Sequence, residues 1–296
     1  MTEVFRSGFV ALVGRPNTGK STLANALVGR KVSIVSDKPQ TTRHRVTAVV
    51  DGDGYQLVLL DIPGFQKPRD TITRRMQELV RSTITEVDAV LFLLPGDQSF
   101  GRGDTFIAEA LRGQPTPVVT VVNKVDLLAP EAAARQQEKA ATLLGDDQVL
   151  LASALTGEGL AEVERRLAAL VPEGPRYFPE GAVTDQPEEV LVAEFIREQV
   201  LAVTEEEVPH AIAVEVLEME PREDRDLIYV RAAIYVERDS QRPIVLGPGG
   251  ERLKHIGIGA RREIEWLLGS QVFLDLVVKV RKHWRADPRM LDRLGL

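Results

Sequence analysis

Eight residues near the start of the chain can bind the phosphates of a nucleotide. Residues 14–21 read GRPNTGKS and match the pattern G-x-x-x-x-G-K-[ST], whose backbone N–H groups converge on an anion. The apolar residues 9–13 precede this loop as a short buried strand, and residues 23–27 continue into a helix. We therefore predict that Lys20 contacts the β- and γ-phosphates and that the Ser21 hydroxyl binds Mg²⁺.

A second polar motif can select the base of that nucleotide. Asn123, Lys124 and Asp126 follow the apolar residues 118–122, so they lie at the carboxyl end of a predicted strand. The Asp126 carboxylate can accept two hydrogen bonds from guanine, whereas adenine lacks that pair of donors and would leave the carboxylate unpaired. The motif therefore predicts guanine, whose O6 can accept a backbone N–H from residues 153–155.

Two further segments can respond to the third phosphate. Asp61 ends a predicted strand and begins the sequence DIPG, where its carboxylate can reach Mg²⁺ through water and the Gly64 amide can contact the γ-phosphate. Thr41 and Thr42 lie in the polar segment 37–45, and either hydroxyl can complete the metal shell; we favour Thr42. Ordering of both segments by the γ-phosphate, and their release on hydrolysis, would make a switch.

These motifs together define a predicted site for GTP or GDP with Mg²⁺. Its phosphate and base contacts are Gly14, Arg15, Pro16, Asn17, Thr18, Gly19, Lys20, Ser21, Thr22, Asp61, Ile62, Pro63, Gly64, Asn123, Lys124, Asp126, Ser153, Ala154 and Leu155. The predicted metal ligands are Ser21, Thr42 and Asp61. The predicted catalytic residues are Lys20, Thr42 and Gly64.

Strands and helices alternate through the first 170 residues. Strands are predicted at 47–51, 55–61, 87–94, 118–122 and 149–151, and helices at 71–84, 104–112, 131–144 and 160–170. This alternation predicts an α/β fold with a mostly parallel, doubly wound sheet. Three prolines and two glycines in residues 172–181 indicate a connector. We therefore predict a GTP-binding domain at residues 1–171, a linker at 172–183 and a second, α+β domain at 184–296.

The second domain is predicted to have the element order α-β-β-α-β. Its helices are predicted at 187–202, 251–268 and 288–294, its strands at 212–219, 227–236 and 272–281, and a turn at 220–226. The loop GPGG at residues 247–250 has the pattern G-x-x-G before a helix, which lets a nucleic-acid backbone approach closely. Alone, this pattern is equally typical of an ordinary turn.

Basic residues are concentrated around and after that loop. Residues 242–296 carry 11 basic and 6 acidic side chains, whereas residues 180–241 carry 5 and 17, so a polyanion is expected to bind the last segment. A solvated basic face is the common alternative. The predicted RNA contacts are Gly247, Pro248, Gly249, Gly250, Arg252, Lys254, Arg261, Lys279, Lys282 and Trp284. For Trp284 both stacking on a base and packing in the core remain open.

The composition excludes several kinds of chemistry. The 296 residues include no cysteine, so disulfides, thiolate metal sites and cysteine nucleophiles are excluded, and the four histidines lack metal-ligand spacing. The start of the chain lacks the apolar stretch of a signal peptide, and the apolar runs elsewhere are too short to span a bilayer. We therefore expect a soluble, cytoplasmic protein, and we expect it to be a monomer.

The motifs of residues 14–155 resemble, in their order, those of the small GTP-binding protein superfamily. This resemblance implies a Ras-like P-loop domain that hydrolyses GTP to GDP and phosphate. Many members place a glutamine after the D-x-x-G motif to orient the attacking water, but here that position is Phe65, which forms no hydrogen bond through its ring. In the subgroup with a hydrophobic residue there, the asparagine that Asn17 matches resembles the ligand of an activating K⁺.

The whole chain resembles the Era family of ribosome-assembly GTPases. The resemblance rests on QTTRHR at residues 40–45, FPE at 178–180 and KVRKHWR at 279–285, which ends a type II KH-like domain. It implies GTP-dependent binding to the 3′ end of small-subunit ribosomal RNA, action on the maturing small ribosomal subunit, and peripheral contact with the inner face of the membrane. Pro248 departs from the family, which usually has lysine there, and removes a phosphate contact and an N–H donor.

A second function remains open at this point. The chain would then be a nucleotide-gated module that docks to a protein or membrane surface with negligible hydrolysis. Phe65, Pro248 and the acidic segment 180–241 favour this alternative, whereas the basic segment 242–296 favours an RNA-binding switch. Salt-dependent RNA binding distinguishes the two.

Overall fold

The structure is a computed structural model that describes residues 4–38, 40–145, 148–222 and 226–296. These residues form two compact units. Unit 1 comprises the residues up to 33 together with 42–69 and 73–185, and unit 2 comprises 34–41, 70–72 and 186–296. Segment 34–41 therefore belongs to unit 2 although both of its chain neighbours belong to unit 1. Within the described ranges, no helix combines the length and the apolar character needed to cross a bilayer.

Unit 1 contains a six-stranded sheet and five helices. The strands are β1 (Arg6–Val13), β2 (Val46–Gly52), β3 (Tyr55–Asp61), β4 (Ala89–Pro95), β5 (Val118–Asn123) and β6 (Leu150–Leu151). The helices are α1 (Lys20–Val28), α2 (Thr71–Glu86), α3 (Arg102–Arg112), α4 (Pro130–Leu144) and α5 (Leu160–Leu170). The strand order is β2-β3-β1-β4-β5-β6, in which β2 pairs antiparallel with β3 and the other pairs are parallel.

The central strands of unit 1 are apolar on both faces because each face packs against helices. In β1, Val10 and Leu12 lie in a core cluster with residues of α1 and α5, whereas Ala11 and Val13 lie in a cluster with residues of α2, α3 and α4. This packing holds the parallel strands in register and brings their carboxyl ends to one edge of the sheet. The loops that carry the nucleotide motifs begin at that edge.

Unit 2 contains a three-stranded sheet covered by two long helices. Its elements are α6 (Glu188–Val203), α7 (Val208–Ala211), β7 (Ala213–Arg222), β8 (Leu227–Val236), α8 (Arg242–Leu246), α9 (Glu251–Leu268), β9 (Gln271–Val280) and α10 (Pro288–Arg293). The strand order is β7-β8-β9, with β7 antiparallel and β9 parallel to β8. Alternate residues of β8, among them Val230 and Ile234, share a core with Phe195 of α6 and Ile264 of α9. Ile34 belongs to the same core.

The predicted fold classes are confirmed, with differences at the level of single elements. The mostly parallel sheet and the order α-β-β-α-β are both present. The predicted turn at 220–226 is partly wrong, since β7 continues to Arg222; residues 223–225 of that turn lie outside the described residues. Helices α7 and α8 were not anticipated because they have only four and five residues, too few for a helical period, and each has proline in its first turn.

Residues 172–185, which include the proline-rich segment, are attached to unit 1. The side chain of Gln56, a buried residue of β3, accepts hydrogen bonds from the N–H groups of Tyr177 (2.8 Å) and Phe178 (3.0 Å). Its amide nitrogen donates to the carbonyl oxygen of Phe178 (3.0 Å). One buried side chain thus holds two consecutive peptide groups of the segment.

Candidate functional site

The phosphate loop joins β1 to α1 and takes its shape from its glycines. Gly19 has a φ of 95°, which favours glycine, and a Cβ atom there would lie 2.2 Å from Nδ2 of Asn123. A Cβ atom at Gly14 would lie 2.7 Å from the carbonyl oxygen of Leu93. Asn17 is exposed and has a φ of 65°. The loop therefore wraps closely around the N-terminus of α1, a geometry that turns N–H groups toward an anion.

The ammonium group of Lys20 is buried within this loop. Its Nζ donates hydrogen bonds to the carbonyl oxygens of Gly14 (3.2 Å) and Arg15 (3.1 Å). Burial disfavours the charged form and lowers the pKa of Lys20 to about 8, although the nearby Asp61 carboxylate acts in the opposite direction. A phosphate group that reached this ammonium would restore the charged form.

The three predicted metal ligands lie together at the N-terminus of α1. The Ser21 hydroxyl donates to Oδ2 of Asp61 (2.6 Å) and lies 3.0 Å from Oγ1 of Thr42. Thr41 does not join them, because its hydroxyl donates to the carbonyl oxygen of Lys38 (2.7 Å). The placement supports the choice of Thr42 over Thr41.

A further hydroxyl, from Ser33, belongs to this cluster and was not predicted. It donates to the same Oδ2 of Asp61 (2.7 Å). Its backbone is held by Asn25 of α1, whose Oδ1 accepts hydrogen bonds from the N–H groups of Val32 and Ser33, both at 2.9 Å. Ser33 belongs to no recognised motif; its signal in the sequence is one polar residue within the apolar residues 32–35.

This set of oxygen atoms suits Mg²⁺. Asp61 is fully buried, and its Oδ1 has no hydrogen-bond partner among the described residues. Burial raises the pKa of Asp61, against the attraction of Lys20 and the hydrogen bonds from Ser21 and Ser33. A hard divalent cation would neutralise the carboxylate and accept hydroxyl, water and phosphate oxygens as its other ligands. Elsewhere in the described residues, His, Asp and Glu side chains form no metal-binding group of three or more.

The base-selecting loop after β5 is fastened to the phosphate loop by Asn123. Its buried Nδ2 donates to the carbonyl oxygen of Thr18 (2.9 Å), and its Oδ1 accepts the N–H of Ala154 (3.0 Å). One side chain therefore connects the phosphate loop with the loop after β6. Leu155 lies at the outer end of that loop with its side chain 79% exposed.

Asp126 is oriented by the same loop after β6. The Ser153 hydroxyl donates to Oδ1 of Asp126 (2.5 Å), which leaves Oδ2 for another donor. Lys124 has a φ of 67° and its Nζ lies 3.0 Å from Oδ2 of Asp97. The structure thus brings together the two parts of the predicted guanine site, the loop after β5 and the loop after β6.

The DIPG segment lies directly against the phosphate loop. A Cβ atom at Gly64 would lie 2.6 Å from the backbone nitrogen of Pro16, and the N–H of Phe65 donates to the carbonyl oxygen of Gly14 (3.1 Å). The Phe65 ring packs in the core with α2 and α3, where it meets Phe106 edge-on at a centroid distance of 5.4 Å. Ile62 and Pro63 are buried as well.

In unit 2, the G-x-x-G loop before α9 exposes a helix N-terminus. Gly247, Gly249 and Gly250 have φ values of 71°, 58° and 84°. A Cβ atom at Gly249 or Gly250 would meet nothing within 4 Å, so the loop is open on its outer side. The N-cap residue of this 18-residue helix is Gly250, which has no side chain that could cap the first turn. The loop and the helix N-terminus together form a surface that suits a phosphate group.

A groove of about 400 Å³ begins at this loop and runs between α9 and the edge strand β9. Its lining includes the apolar residues Ile258, Phe273 and Leu276 and the basic residues Lys254 and Arg261. The Phe273 side chain is 58% exposed. Of these five residues only Lys254 and Arg261 were predicted, because the apolar ones match the pattern of core positions in a helix or strand.

The other predicted basic contacts lie outside the groove. Arg252 donates a hydrogen bond to the carbonyl oxygen of Ile244 next to the G-x-x-G loop. Lys279 is exposed on β9, and Lys282 lies 3.9 Å from Asp239.

Trp284 does not lie at a surface, and its inclusion among the predicted RNA contacts is therefore corrected. Its side chain is completely buried, and its Nε1 donates to the carbonyl oxygen of Ala211 (2.9 Å). Stacking on a base needs an exposed ring face, which this indole lacks. The structure places Trp284 in the core, which was the other of the two alternatives.

Comparison with known protein families matches a part of each unit, and comparison with curated sequences matches the full length of the chain. A family model described as 50S ribosome-binding GTPase matches residues 9–124, and a KH-domain model matches residues 207–285. The chain is 50% identical to GTPase Era of Mycobacterium avium and 49% identical to GTPase Era of Mycobacterium tuberculosis, and each match covers the whole of both chains.

Two solved structures match the fold over nearly the whole chain. One is Era in complex with MgGDPNP and nucleotides 1506–1542 of 16S ribosomal RNA, with a TM-score of 0.95. The other is a variant of Aquifex aeolicus Era bound to GDP and aluminium fluoride, with a TM-score of 0.94. Both are 36% identical to this chain, and each match covers 98% of this chain and 99% of the other.

Proposed function

The chain belongs to the Era family of GTPases, and from this premise we propose that it is a GTP-hydrolysing switch that binds the 3′ end of small-subunit ribosomal RNA and assists maturation of the small ribosomal subunit. The observation that carries the proposal is the meeting of Ser21, Thr42 and Asp61 beside the phosphate loop. These residues come from three separate segments, two of which are the predicted switch segments. Their meeting gives the chain a place where the γ-phosphate can be sensed.

Each residue of the phosphate site has a separate task in hydrolysis. Lys20 carries the positive charge that stabilises the β- and γ-phosphate oxygens as negative charge develops on them. Bound Mg²⁺ supplies further neutralisation of those oxygens, and Ser21, Thr42 and Asp61 are the residues that would hold it. Gly64 packs against Pro16 of the phosphate loop, and we assign to its N–H the contact with the terminal phosphate.

Because Phe65 cannot orient water, we assign this part of the chemistry to the backbone and to a monovalent cation. Asn17 is an exposed residue of the phosphate loop, and we assign to its side-chain oxygen the binding of K⁺ next to the phosphates. A cation at that position would add positive charge where the transition state needs it. Replacement of K⁺ by Na⁺ should then lower the hydrolysis rate of the wild type but not that of Asn17→Ala.

Guanine specificity is assigned to Asp126, with Ser153 as the residue that orients it. Asp126→Asn should shift the preference from guanine toward xanthine nucleotides, because the amide can donate where the carboxylate accepts. The control is Asp97→Asn, which alters a carboxylate that contacts Lys124 and leaves Asp126 in place. Unchanged affinity of Asp126→Asn for GTP would contradict the assignment.

RNA binding is assigned to the G-x-x-G loop and the groove of unit 2. The open glycines and the N-terminus of α9 can contact the RNA backbone, and the apolar residues that line the groove can receive unpaired bases. Lys254 and Arg261 in the same lining add charge attraction, which predicts weaker binding at higher salt. The RNA contacts we propose are therefore the predicted set without Trp284 and with Ile258 and Phe273 added.

Segment 34–41 offers a path from the nucleotide to the RNA site. The boundary between the two units lies between Thr41 and Thr42. Thr42 belongs to unit 1 and contacts Ser21. Thr41 belongs to unit 2, and its carbonyl oxygen accepts a hydrogen bond from the buried Arg197 of α6. The N–H of Val35 donates to Glu198 of the same helix (2.8 Å). Loss of the γ-phosphate would release Thr42, and the released segment would alter the unit that binds RNA.

In this proposal GTP binds to the predicted domain at residues 1–171 and RNA binds to the predicted domain at residues 184–296. The predicted linker lies at residues 172–183. We place the protein in the cytoplasm, with peripheral contact at the inner face of the membrane, and we expect a monomer. The alternative of a docking module with negligible hydrolysis is not favoured, because the relatives matched over the full length are GTPases.

The test of the proposed activity is GTP turnover by the full-length protein with Mg²⁺ and K⁺. Lys20→Ala should abolish tight binding of GTP and GDP, since it removes the charge at the centre of the phosphate loop. Lys31→Ala is the control, because it removes a lysine just beyond the helix that follows the loop. Retained tight binding by Lys20→Ala would contradict the phosphate-loop assignment.

A further inference from the structure

Helix α3 contacts the phosphate loop through a buried carboxylate. Nε of Arg15 donates to Oδ1 of Asp104 (2.7 Å), and the Asp104 side chain is completely buried. Oδ2 of Asp104 accepts the N–H of Gly101 (2.8 Å), so both oxygens are occupied and the carboxylate is fixed at the start of the helix. Glycine at position 103 lets the Arg15 side chain pack against α3, because a Cβ atom there would lie 2.6 Å from Cδ of Arg15. The ion pair is a charge-assisted hydrogen bond held in a single geometry.

Arg15 in turn supports the residue that binds phosphate. Its carbonyl oxygen accepts hydrogen bonds from Nζ of Lys20 (3.1 Å) and from the hydroxyl of Thr18 (3.0 Å). The side chain of Arg15 is thus tied to α3 while its backbone faces the inside of the phosphate loop.

The same helix also contacts the segment that follows Gly64. The ring of Phe106 meets the ring of Phe65 edge-on, with centroids 5.4 Å apart. Phe65 is buried, whereas the Phe106 side chain is 43% exposed. The buried residues Ile107 and Leu111 anchor α3 in the core of unit 1, so the helix is a rigid support for both contacts.

We propose that Asp104 and Phe106 are positioning residues for GTP hydrolysis. Asp104 holds the phosphate loop through Arg15, and Phe106 holds the DIPG segment through Phe65. The two contacts lie within one turn of a single helix, so together they fix how the DIPG segment lies against the phosphate loop. In this chain the packing of Phe65 against α3 holds in place the backbone groups to which we assign the alignment that a glutamine supplies in other GTPases. The inference rests on the proposed hydrolysis activity.

Substitutions of Asp104 and Phe106 separate positioning from folding. Asp104→Asn retains an oxygen for the Gly101 N–H but loses the charge that holds Arg15. Phe106→Ala removes the ring contact, and Phe106→Tyr retains it. We expect kcat for GTP to fall about tenfold in Asp104→Asn and in Phe106→Ala, and to stay near the wild-type value in Phe106→Tyr. In all three variants KM for GTP and the Kd for GDP should change by less than about twofold. Arg102→Gln, an exposed residue at the start of α3, is the control and should match the wild type.

A double variant tests whether Asp104 acts through Arg15. Arg15→Gln with Asp104→Asn should be no slower than either single variant, whereas independent effects would multiply to about a hundredfold loss. Wild-type kcat in Asp104→Asn and Phe106→Ala would overturn the inference. A loss of GDP affinity that equals the loss of kcat would also overturn it, because that result indicates a structural role. Absence of GTP turnover in the wild type would instead contradict the proposed function itself.

Discussion

The buried ammonium group of Lys20 should make nucleotide binding depend on pH in the mildly alkaline range. In the nucleotide-free protein its pKa is lowered to about 8 by burial. Phosphate oxygens around Nζ favour the charged form, so the pKa of Lys20 in the complex is higher than in the free protein. At pH values well below 8 Lys20 is protonated in both states and affinity is constant. Above pH 8 the free protein has lost the proton and must take one up in order to bind.

The size of the effect follows from the position of this pKa. With a pKa of about 8, about half of the free protein is deprotonated at pH 8 and about three quarters at pH 8.5. The affinity for GDP should therefore fall about twofold at pH 8 and about fourfold at pH 8.5, relative to pH 6.5. Proton uptake on binding should rise in parallel, from near zero at pH 6.5 to about three quarters of a proton at pH 8.5.

Isothermal titration calorimetry of GDP with saturating Mg²⁺ measures both quantities. Titrations in two buffers of different ionisation enthalpy give the number of protons taken up at each pH. Lys20→Arg is the matched control, because a guanidinium stays protonated throughout this range and should show no uptake that depends on pH. Constant affinity and no proton uptake in the wild type from pH 6.5 to 8.5 would refute the reasoning.

Three substitutions test other parts of the account. Ser33→Ala should weaken Mg²⁺-dependent GTP binding severalfold, because it removes a hydrogen bond that orients Asp61; equal Mg²⁺ dependence in variant and wild type would exclude this role. Gly257→Ala should stabilise α9 by about 0.5–1 kcal/mol in urea unfolding. It should also weaken RNA binding, because Gly257 lines the groove. Unchanged RNA affinity would contradict the assignment of the groove to RNA. Trp284→Phe should destabilise unit 2 by about 1–3 kcal/mol, because the carbonyl oxygen of Ala211 loses its hydrogen bond. Unfolding is followed by the fluorescence of Trp266. An unchanged free energy of unfolding would mean that the buried indole contributes little to stability.

The candidate nucleotide site could be predicted from the sequence because each of its motifs consists of residues that are close together in the chain. A loop that wraps phosphate needs glycines such as Gly19 and a lysine at a fixed spacing, so the pattern is visible without the fold. The same holds for Asp61 and Asp126, which follow apolar strands at one sheet edge. Ser33 was not predictable, because it reaches Asp61 only after the loop that follows α1 has folded back.

The proposed RNA surface could be predicted from the sequence only in part, for a different reason. Charges and the glycine loop mark it in the sequence, but Ile258 and Phe273 have the same residue types as core positions. Whether such a residue is buried depends on what packs against it. Trp284 shows the reverse case, since a tryptophan within a basic segment is completely covered in the folded unit. Burial is a property of the assembled fold, and the pattern of residue types determines it incompletely.

The central claim is that the nucleotide controls RNA binding, and one measurement tests it directly. A fluorescent oligonucleotide from the 3′ end of small-subunit ribosomal RNA is titrated with the GDP-bound and GDPNP-bound protein over a salt series. We compare Gly249→Asp with Gly269→Asp, since both glycines have positive φ and open surroundings and only Gly249 lies in the G-x-x-G loop. The account predicts tighter binding with GDPNP, weakened by salt and by Gly249→Asp alone. Equal affinity in both nucleotide states, or equal loss in both variants, would contradict it.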